Sequence, residues 1–223
     1  SSDVCSSDLK LPLAQRRGIT HHMLDVLDVS QEASVAMYQQ AARDVISQLH
    51  ARDISAVVVG GSGLFVNALL DDMQFPGSDP SIRERLEAEA QREGAEHMYA
   101  KLQAVDEQAA AHVLPTNLRR IVRALEVVEL TGQAPSTTLR QLAEVVPALR
   151  IGLTRERADL DQRIALRVDQ MWRDGLVQEV SDLEAMGLRQ GRTASKALGY
   201  QQVLAALAGE CTMDQAREAT VVG

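Results

Sequence analysis

Apolar positions recur every three or four residues from Gln31 to Leu49, where Ala36, Met37, Ala41, Val45 and Leu49 share a stripe. With Ser30 or Ser34 as N-cap, that spacing predicts an amphipathic helix. The pattern then changes. Ile54–Val59 reads ISAVVV, a continuous β-branched run of the kind that forms a strand buried on both faces. It leads into Gly60-Gly61-Ser62-Gly63 and a second helix over Leu64–Leu70. Helix, buried strand, glycine turn and helix is the order of a parallel α/β layer.

The stretch Phe75-Pro76-Gly77-Ser78-Asp79-Pro80 breaks this pattern. Beyond it a helical tract runs from Ser81 to about Thr131, with Ser81 as N-cap and Glu84 completing a capping box. Pro115-Thr116-Asn117 punctuates the tract, Thr131–Pro135 ends it, and Pro147 marks a second boundary. Arg150–Leu153 (RIGL) predicts a short strand. Helices follow over Arg155–Met171 and Leu176–Met186, then a turn over Ala194–Tyr200, then helices over Gln201–Leu207 and Met213–Thr220. The expected fold class is therefore α/β. A parallel core of residues 11–76 and 148–223 is interrupted by an all-helical insertion over 77–147.

Composition narrows the function classes. With 31 acidic against 23 basic residues the 223-residue chain carries a formal charge of −8, so no global positive field draws it to nucleic acid. Only a local basic patch could do so. Two cysteines exclude a disulfide framework and a four-thiolate zinc site. Aromatic residues are 3% of the chain, which argues against a base-stacking platform. Every apolar run is too short to span a bilayer. Nothing at the start reads as a signal peptide, so the expected compartment is the cytoplasm. The first ten residues, SSDVCSSDLK, resemble translated adapter read-through rather than a native start, and both ends look cut.

Three features could carry chemistry. Glycines in Val59-Gly60-Gly61-Ser62-Gly63 let the backbone approach a ligand, and the helix start that follows offers N–H groups to an anion. Ser62 adds a hydroxyl at the carboxyl end of the expected strand, where open α/β sheets place ligands. The competing reading is a glycine turn kept for tight strand–helix packing. The pattern GxxxxGK[ST] is absent. His21 and His22 are adjacent and would point apart on a strand, a poor chelate for one metal.

The third feature is basic. Arg119, Arg120 and Arg123 place three guanidinium groups within five residues, beside a Pro-Thr-Asn loop in an otherwise acidic segment. This is either a solvated helix face or a set of phosphate contacts. Arg163 and Arg167 repeat the one-turn spacing beside the stripe Leu160, Ile164, Val168 and Met171, where a long side chain can reach into a cleft.

Taken in order, HHMLDVLDV, VVVGGSGLFVNALL, PGSDPSIRERLEAEA, VLPTNLRRIVRALEVVELTG, LDQRIALRVDQMWRDGLVQEV and SKALGYQQVL resemble the bacterial tRNA dimethylallyltransferase (tRNA isopentenyltransferase) family over about Leu11–Gly223. The resemblance implies a P-loop-type, nucleotide- and ATP-binding α/β core with a helical insertion. It implies transfer of a dimethylallyl group from its diphosphate to the exocyclic amine of the tRNA adenine 3′-adjacent to the anticodon. Its partners are tRNA and dimethylallyl diphosphate, its cofactor is Mg²⁺, and a monomer without membrane association is expected.

By position, Ser62 corresponds to a threonine of the family near the reacting amine, and Gly60, Gly61, Ser62 and Arg167 to diphosphate-binding positions. Ser62 and Arg167 are the catalytic candidates. Arg119, Ile121, Val122 and their neighbours Arg120 and Arg123 correspond to a tRNA-contacting stretch. So do Lys196, Ala197, Leu198, Gly199, Tyr200 and Gln201. On the resemblance, the P-loop, its Mg²⁺-binding hydroxyl and the aspartate base would lie before residue 1, and a basic tRNA-contacting end after residue 223. The chain by itself is then expected to be inactive. Two other readings are a non-catalytic tRNA-binding paralogue and a piece of a P-loop nucleotide kinase.

Overall fold

A computed structural model describes residues 16–133 and 143–222. The chain divides into two compact units, Ser1–Leu69 with Ala148–Gly223, and Leu70–Pro147.

In the first unit, α1 (Val35–His50) starts where Ser34 Oγ accepts from Met37 N. The cap falls four residues into the expected helix because Ser34, not Ser30, offers its hydroxyl to the first turn. α2 (Gly63–Leu70) packs on α1 through an edge-to-face pair, Tyr38 with Phe65, ring centroids 4.9 Å apart. Arg43 and Gln39 of α1 close its far end. Arg43 donates to the carbonyls of Ala68 and Leu69, and Gln39 to that of Ala68. A guanidinium suits a helix C-terminus, where carbonyls lack partners and the dipole is negative.

Helices α6 (Arg157–Arg173), α7 (Leu176–Ala185), α8 (Tyr200–Leu207) and α9 (Met213–Val222) complete this unit, with single 3₁₀ turns at Leu188–Gln190 and Ala194–Lys196. Their core is Val29, Met171, Leu176, Val180, Leu188, Tyr200, Val203 and Leu204. Leu160 of the expected α6 stripe is 39% exposed, so the stripe is buried only at its carboxyl end. A Cβ on Gly191 would lie 1.9 Å from the Val29 carbonyl oxygen, so the loop before α1 lies against bare backbone there.

The second unit is α3 (Pro80–Val105), α4 (Glu107–Ala111) and α5 (Leu118–Thr131) around Leu86, Met98, Leu102, Ile121 and Leu125. Asp79, rather than Ser81, caps α3. Its carboxylate accepts from Ser81 N, Ile82 N and Ser81 Oγ, and Pro80 fills the first helical position. A carboxylate ahead of a proline satisfies two free amides, and proline has none to lose. These bonds, that from the Ser81 side chain first, hold the Asp79 carboxyl below its ordinary pKa.

α3 bends at Gly94, whose φ of 84° is left-handed. Across the bend Lys101 donates to Glu89 at 2.7 Å and His97 faces the same carboxylate at 3.2 Å. Twelve residues of straight helix would hold Glu89 and Lys101 about 18 Å apart. α5 ends on Gly132, in the left-handed conformation, with its N–H on the Val128 carbonyl.

The expected sheet is the correction. Neither Ile54–Val59 nor Arg150–Leu153 is a strand, and the β pairing among the described residues is one antiparallel bridge, Asp71 with Glu144. A strand exists only where a neighbour completes its ladder. Among the described residues none does so here, and Val57, Val59 and Leu153 are about nine-tenths exposed. The sequence pattern asks for burial on two faces and the described residues supply neither. No helix among them is long and apolar enough to cross a membrane.

Candidate functional site

The glycine turn has an open backbone. Gly60, Gly61 and Gly63 lie outside the left-handed region, and a Cβ built on any of them meets nothing within 4 Å. Neither conformation nor packing among the described residues demands glycine at these three positions. The packing reading therefore has no contact to rest on, and what the glycines leave is bare main chain. Ser62 is half-buried at the mouth of α2; its carbonyl accepts from Val66 N, and its hydroxyl makes no hydrogen bond among the described residues. The N–H groups of the first turn of α2 follow directly, a setting that favours anions.

Arg167 is exposed midway along α6, one residue before the buried Val168 and one turn before the buried Met171. Met171 also meets the Lys196–Gln201 segment. A Cβ on Gly199 would lie 3.3 Å from Leu176 Cδ2 and 3.8 Å from Met171 Cε. Gly199 has φ 89° and opens α8, its N–H donating to Gln202 Oε1 at 2.8 Å. Tyr200 is buried and its hydroxyl donates to Glu179. Ala197 is half-buried. That leaves Lys196, Leu198 and Gln201 as the exposed side chains of the segment. Arg163, the other arginine of the α6 pair, is tied to Asp159, whose carboxyl is held low first by Arg155 and then by Arg163.

On α5 the arginine cluster separates by role. Ile121 and Val122 are core residues, 0% and 5% exposed. Arg123 turns back on its own unit, donating to the carbonyls of Pro76 and Gly77 and, at 2.9 Å, to Glu126 Oε2. Arg119 and Arg120 are exposed, and their side chains make no ion pair or hydrogen bond among the described residues.

Glu126 is the residue sequence reasoning missed. It is 0% exposed, yet accepts from Arg83, Arg123 and Asp79 N. Burial pushes its carboxyl up; the bonds from Arg123 and Arg83, the Arg123 charge and the Asp79 amide outweigh this and leave it below the ordinary value. Its signal was an acid inside the apolar run of RALEVV, three residues after an arginine.

Between α3 and α5 lies a cleft of about 430 Å³. Arg83, Glu87 and Gln91 of α3 face Arg119 and Arg123 of α5 across it, over an apolar floor of Ala90, Leu118 and Val122. His21 and His22 are exposed, and His21 Nδ1 donates to the Ile19 carbonyl.

Comparison with known proteins agrees with the resemblance. A family model described as IPP transferase matches residues 8–223. A tRNA dimethylallyltransferase of Thermobifida fusca is 55% identical over 95% of this chain, and one of Streptomyces coelicolor 53% over the same share. The chain spans about two thirds of their lengths, 66% and 68%. The tRNA isopentenylpyrophosphate transferase structure from Bacillus halodurans superposes with a TM-score of 0.61 at 34% identity, covering 95% of this chain and 67% of that one. A eukaryotic dimethylallyltransferase acting on tRNA gives a TM-score of 0.74 at 23% identity over 96% of this chain and 55% of its own, a likeness of fold.

Proposed function

We propose, from the premise that this chain belongs to the IPP transferase family, that it serves transfer of a dimethylallyl group to tRNA. The acceptor is the exocyclic amine of the adenine 3′-adjacent to the anticodon, and the donor is dimethylallyl diphosphate. The protein acts in the cytoplasm as a monomer. On this reading the ISAVVV and RIGL segments, which are not strands among the described residues, pair into a parallel, P-loop-type sheet in protein of the relatives' full length.

The observation that carries the reading on this chain's own residues is the open glycine turn. Three glycines that neither φ nor packing requires leave backbone against which a diphosphate can lie. In the reaction a bond forms between the adenine N6 and C1 of the allyl group. The C1–O bond breaks, the diphosphate leaves with its electron pair, and the N6 proton passes to a base. Charge grows on the departing oxygens, where the Arg167 guanidinium and the amides after Gly60 and Gly61 stabilise it. The Ser62 hydroxyl, at the same turn, orients the amine or the diphosphate. The adenine must leave its stack to arrive, at a few kcal/mol. Arg119 and Arg120 hold tRNA phosphates, and Lys196, Leu198 and Gln201 touch the RNA from the α8 turn.

Mg²⁺ belongs to the family pattern. Among the described residues no group of three or more His, Cys, Asp or Glu could hold a metal ion. The described residues do not fit one.

The test is incubation of unmodified tRNA, dimethylallyl diphosphate and ATP with protein of the relatives' full length, followed by nucleoside mass spectrometry and assay of the released phosphates. One adenosine per tRNA gaining one dimethylallyl group in place of hydrogen, with equimolar diphosphate released, supports the reading. Phosphoryl transfer from ATP, with no change in the tRNA, overturns it in favour of a kinase.

A further inference from the structure

The α3–α5 cleft holds three polar side chains without a side-chain partner among the described residues. Glu87, Gln91 and Arg119 all line it, and none makes a side-chain hydrogen bond or ion pair among the described residues. Glu87 has an arginine one turn before it on α3, the spacing of a helical ion pair. That arginine, Arg83, is turned instead onto the buried Glu126 at 2.8 Å. Arg123 is held on the same carboxylate. Glu126 thus keeps two guanidinium groups at one end of the cleft and leaves a lone carboxylate and a lone carboxamide further along the same face of α3.

Three guanidinium groups against Glu87 and Glu126 give the cleft an excess of positive charge, which suits a phosphodiester. Glu87 does not suit one, since a carboxylate repels phosphate. It suits the amino edge of a base, because a carboxylate accepts from exocyclic N–H groups and a carboxamide both donates and accepts. Ala90, Leu118 and Val122 supply an apolar floor on which a base face can lie.

We propose that this cleft takes one ribonucleotide of the bound RNA, its phosphate on Arg119 and Arg83 and its base edge read by Glu87 and Gln91. The proposal rests on the tRNA reading above and adds to it a point of base discrimination outside the reacting adenine. Arg119 sets affinity, Glu87 and Gln91 set preference, and Glu126 is the positioning residue that keeps Arg83 away from Glu87.

The experiment uses the 223-residue chain and a panel of unmodified anticodon stem–loop RNAs that differ by one loop base each, with binding read by fluorescence anisotropy over a salt series. Arg119→Ala should weaken all RNAs by a common factor and lower the log–log salt slope by about 0.7–0.9. Glu87→Gln and Gln91→Ala should reorder the panel, with roughly tenfold changes confined to RNAs altered at one position. Both residues are exposed on a helix surface, so unchanged melting is the check on folding. If Glu87→Gln tightens every RNA equally, Glu87 is only a repelling charge and base reading is overturned. An unchanged order in both variants also overturns it, while binding by the unaltered chain leaves the tRNA reading intact. Failure to bind any RNA, by the unaltered chain and by protein of the relatives' full length alike, overturns both together.

Discussion

Arg123 and Glu126, one turn apart on α5, are joined at 2.9 Å, and the Glu126 side chain is wholly buried while that of Arg123 is 38% exposed. The same arginine holds the carbonyls of Pro76 and Gly77. It therefore ties the entry to α3 onto α5, and its neighbours Arg119 and Arg120 do not. Arg123→Ala should destabilise the helical unit by about 2 kcal/mol, since it strips charge-assisted bonds from a buried acid. Arg119→Ala and Arg120→Ala should each stay within about 0.5 kcal/mol. Urea unfolding of the three variants checks this. Equal effects from all three would mean that Arg123 has no separate structural role.

Acid should loosen the helical unit. Asp79, Glu89 and Glu126 all titrate below their ordinary values, Glu89 chiefly through the Lys101 bond. A depressed native pKa means that the unfolded chain binds more protons, so stability rises with pH through that window. The contribution is complete above about pH 5, past the ordinary carboxylate values, and is lost as pH falls through the native ones. Unfolding midpoints measured from pH 7 to pH 3 should decline toward acid. Glu126→Gln should start lower and decline less steeply; a parallel decline would assign the effect to other groups.

Two glycines should behave oppositely. Gly191→Ala drives a Cβ to within 1.9 Å of the Val29 carbonyl oxygen, and backbone rather than a side-chain tip must move. A loss of about 3 kcal/mol is expected. Gly61→Ala meets nothing within 4 Å at an ordinary φ, so the melting temperature should hold. In protein of the relatives' full length, Gly61→Ala should instead raise KM for dimethylallyl diphosphate. A full-length Gly61→Ala protein with wild-type KM would show that no ligand approaches that backbone.

Arg167→Ala, in the same full-length protein, should lower the single-turnover rate by about two orders of magnitude, roughly 3 kcal/mol. Binding of tRNA should change little, because the guanidinium meets charge that grows only as diphosphate leaves. A rate unchanged at saturating substrate would remove Arg167 from the reaction.

Helical segments were legible from apolar spacing, but not always their buried faces: α1 forms over the expected stretch yet buries Ala42 and Ile46, while Met37 of the expected stripe is 51% exposed. Helix ends were less legible. α3 is capped two residues earlier than expected because Asp79 reaches two amides, and a capping box at Ser81 and Glu84 reads equally well on paper. Of the candidate site, the glycine turn and the arginine cluster stood out as local patterns. That Ile121 and Val122 of the expected tRNA-contacting stretch are core residues, and that Arg123 is spent on a buried acid, came only from the tertiary structure.

What this sequence determined by itself is what neighbours in the chain decide: the helical periods, the glycine turn ahead of α2 and the ordered motifs that mark the family. Tertiary structure decided what partners distant in sequence must supply. Glu126 is buried only because Arg83, 43 residues away, and Asp79, 47 away, come to its carboxylate. Glu87 lacks its helical partner for the same reason. Ile54–Val59 keeps a strand's composition without being a strand, because a ladder needs a second chain segment and a helix does not.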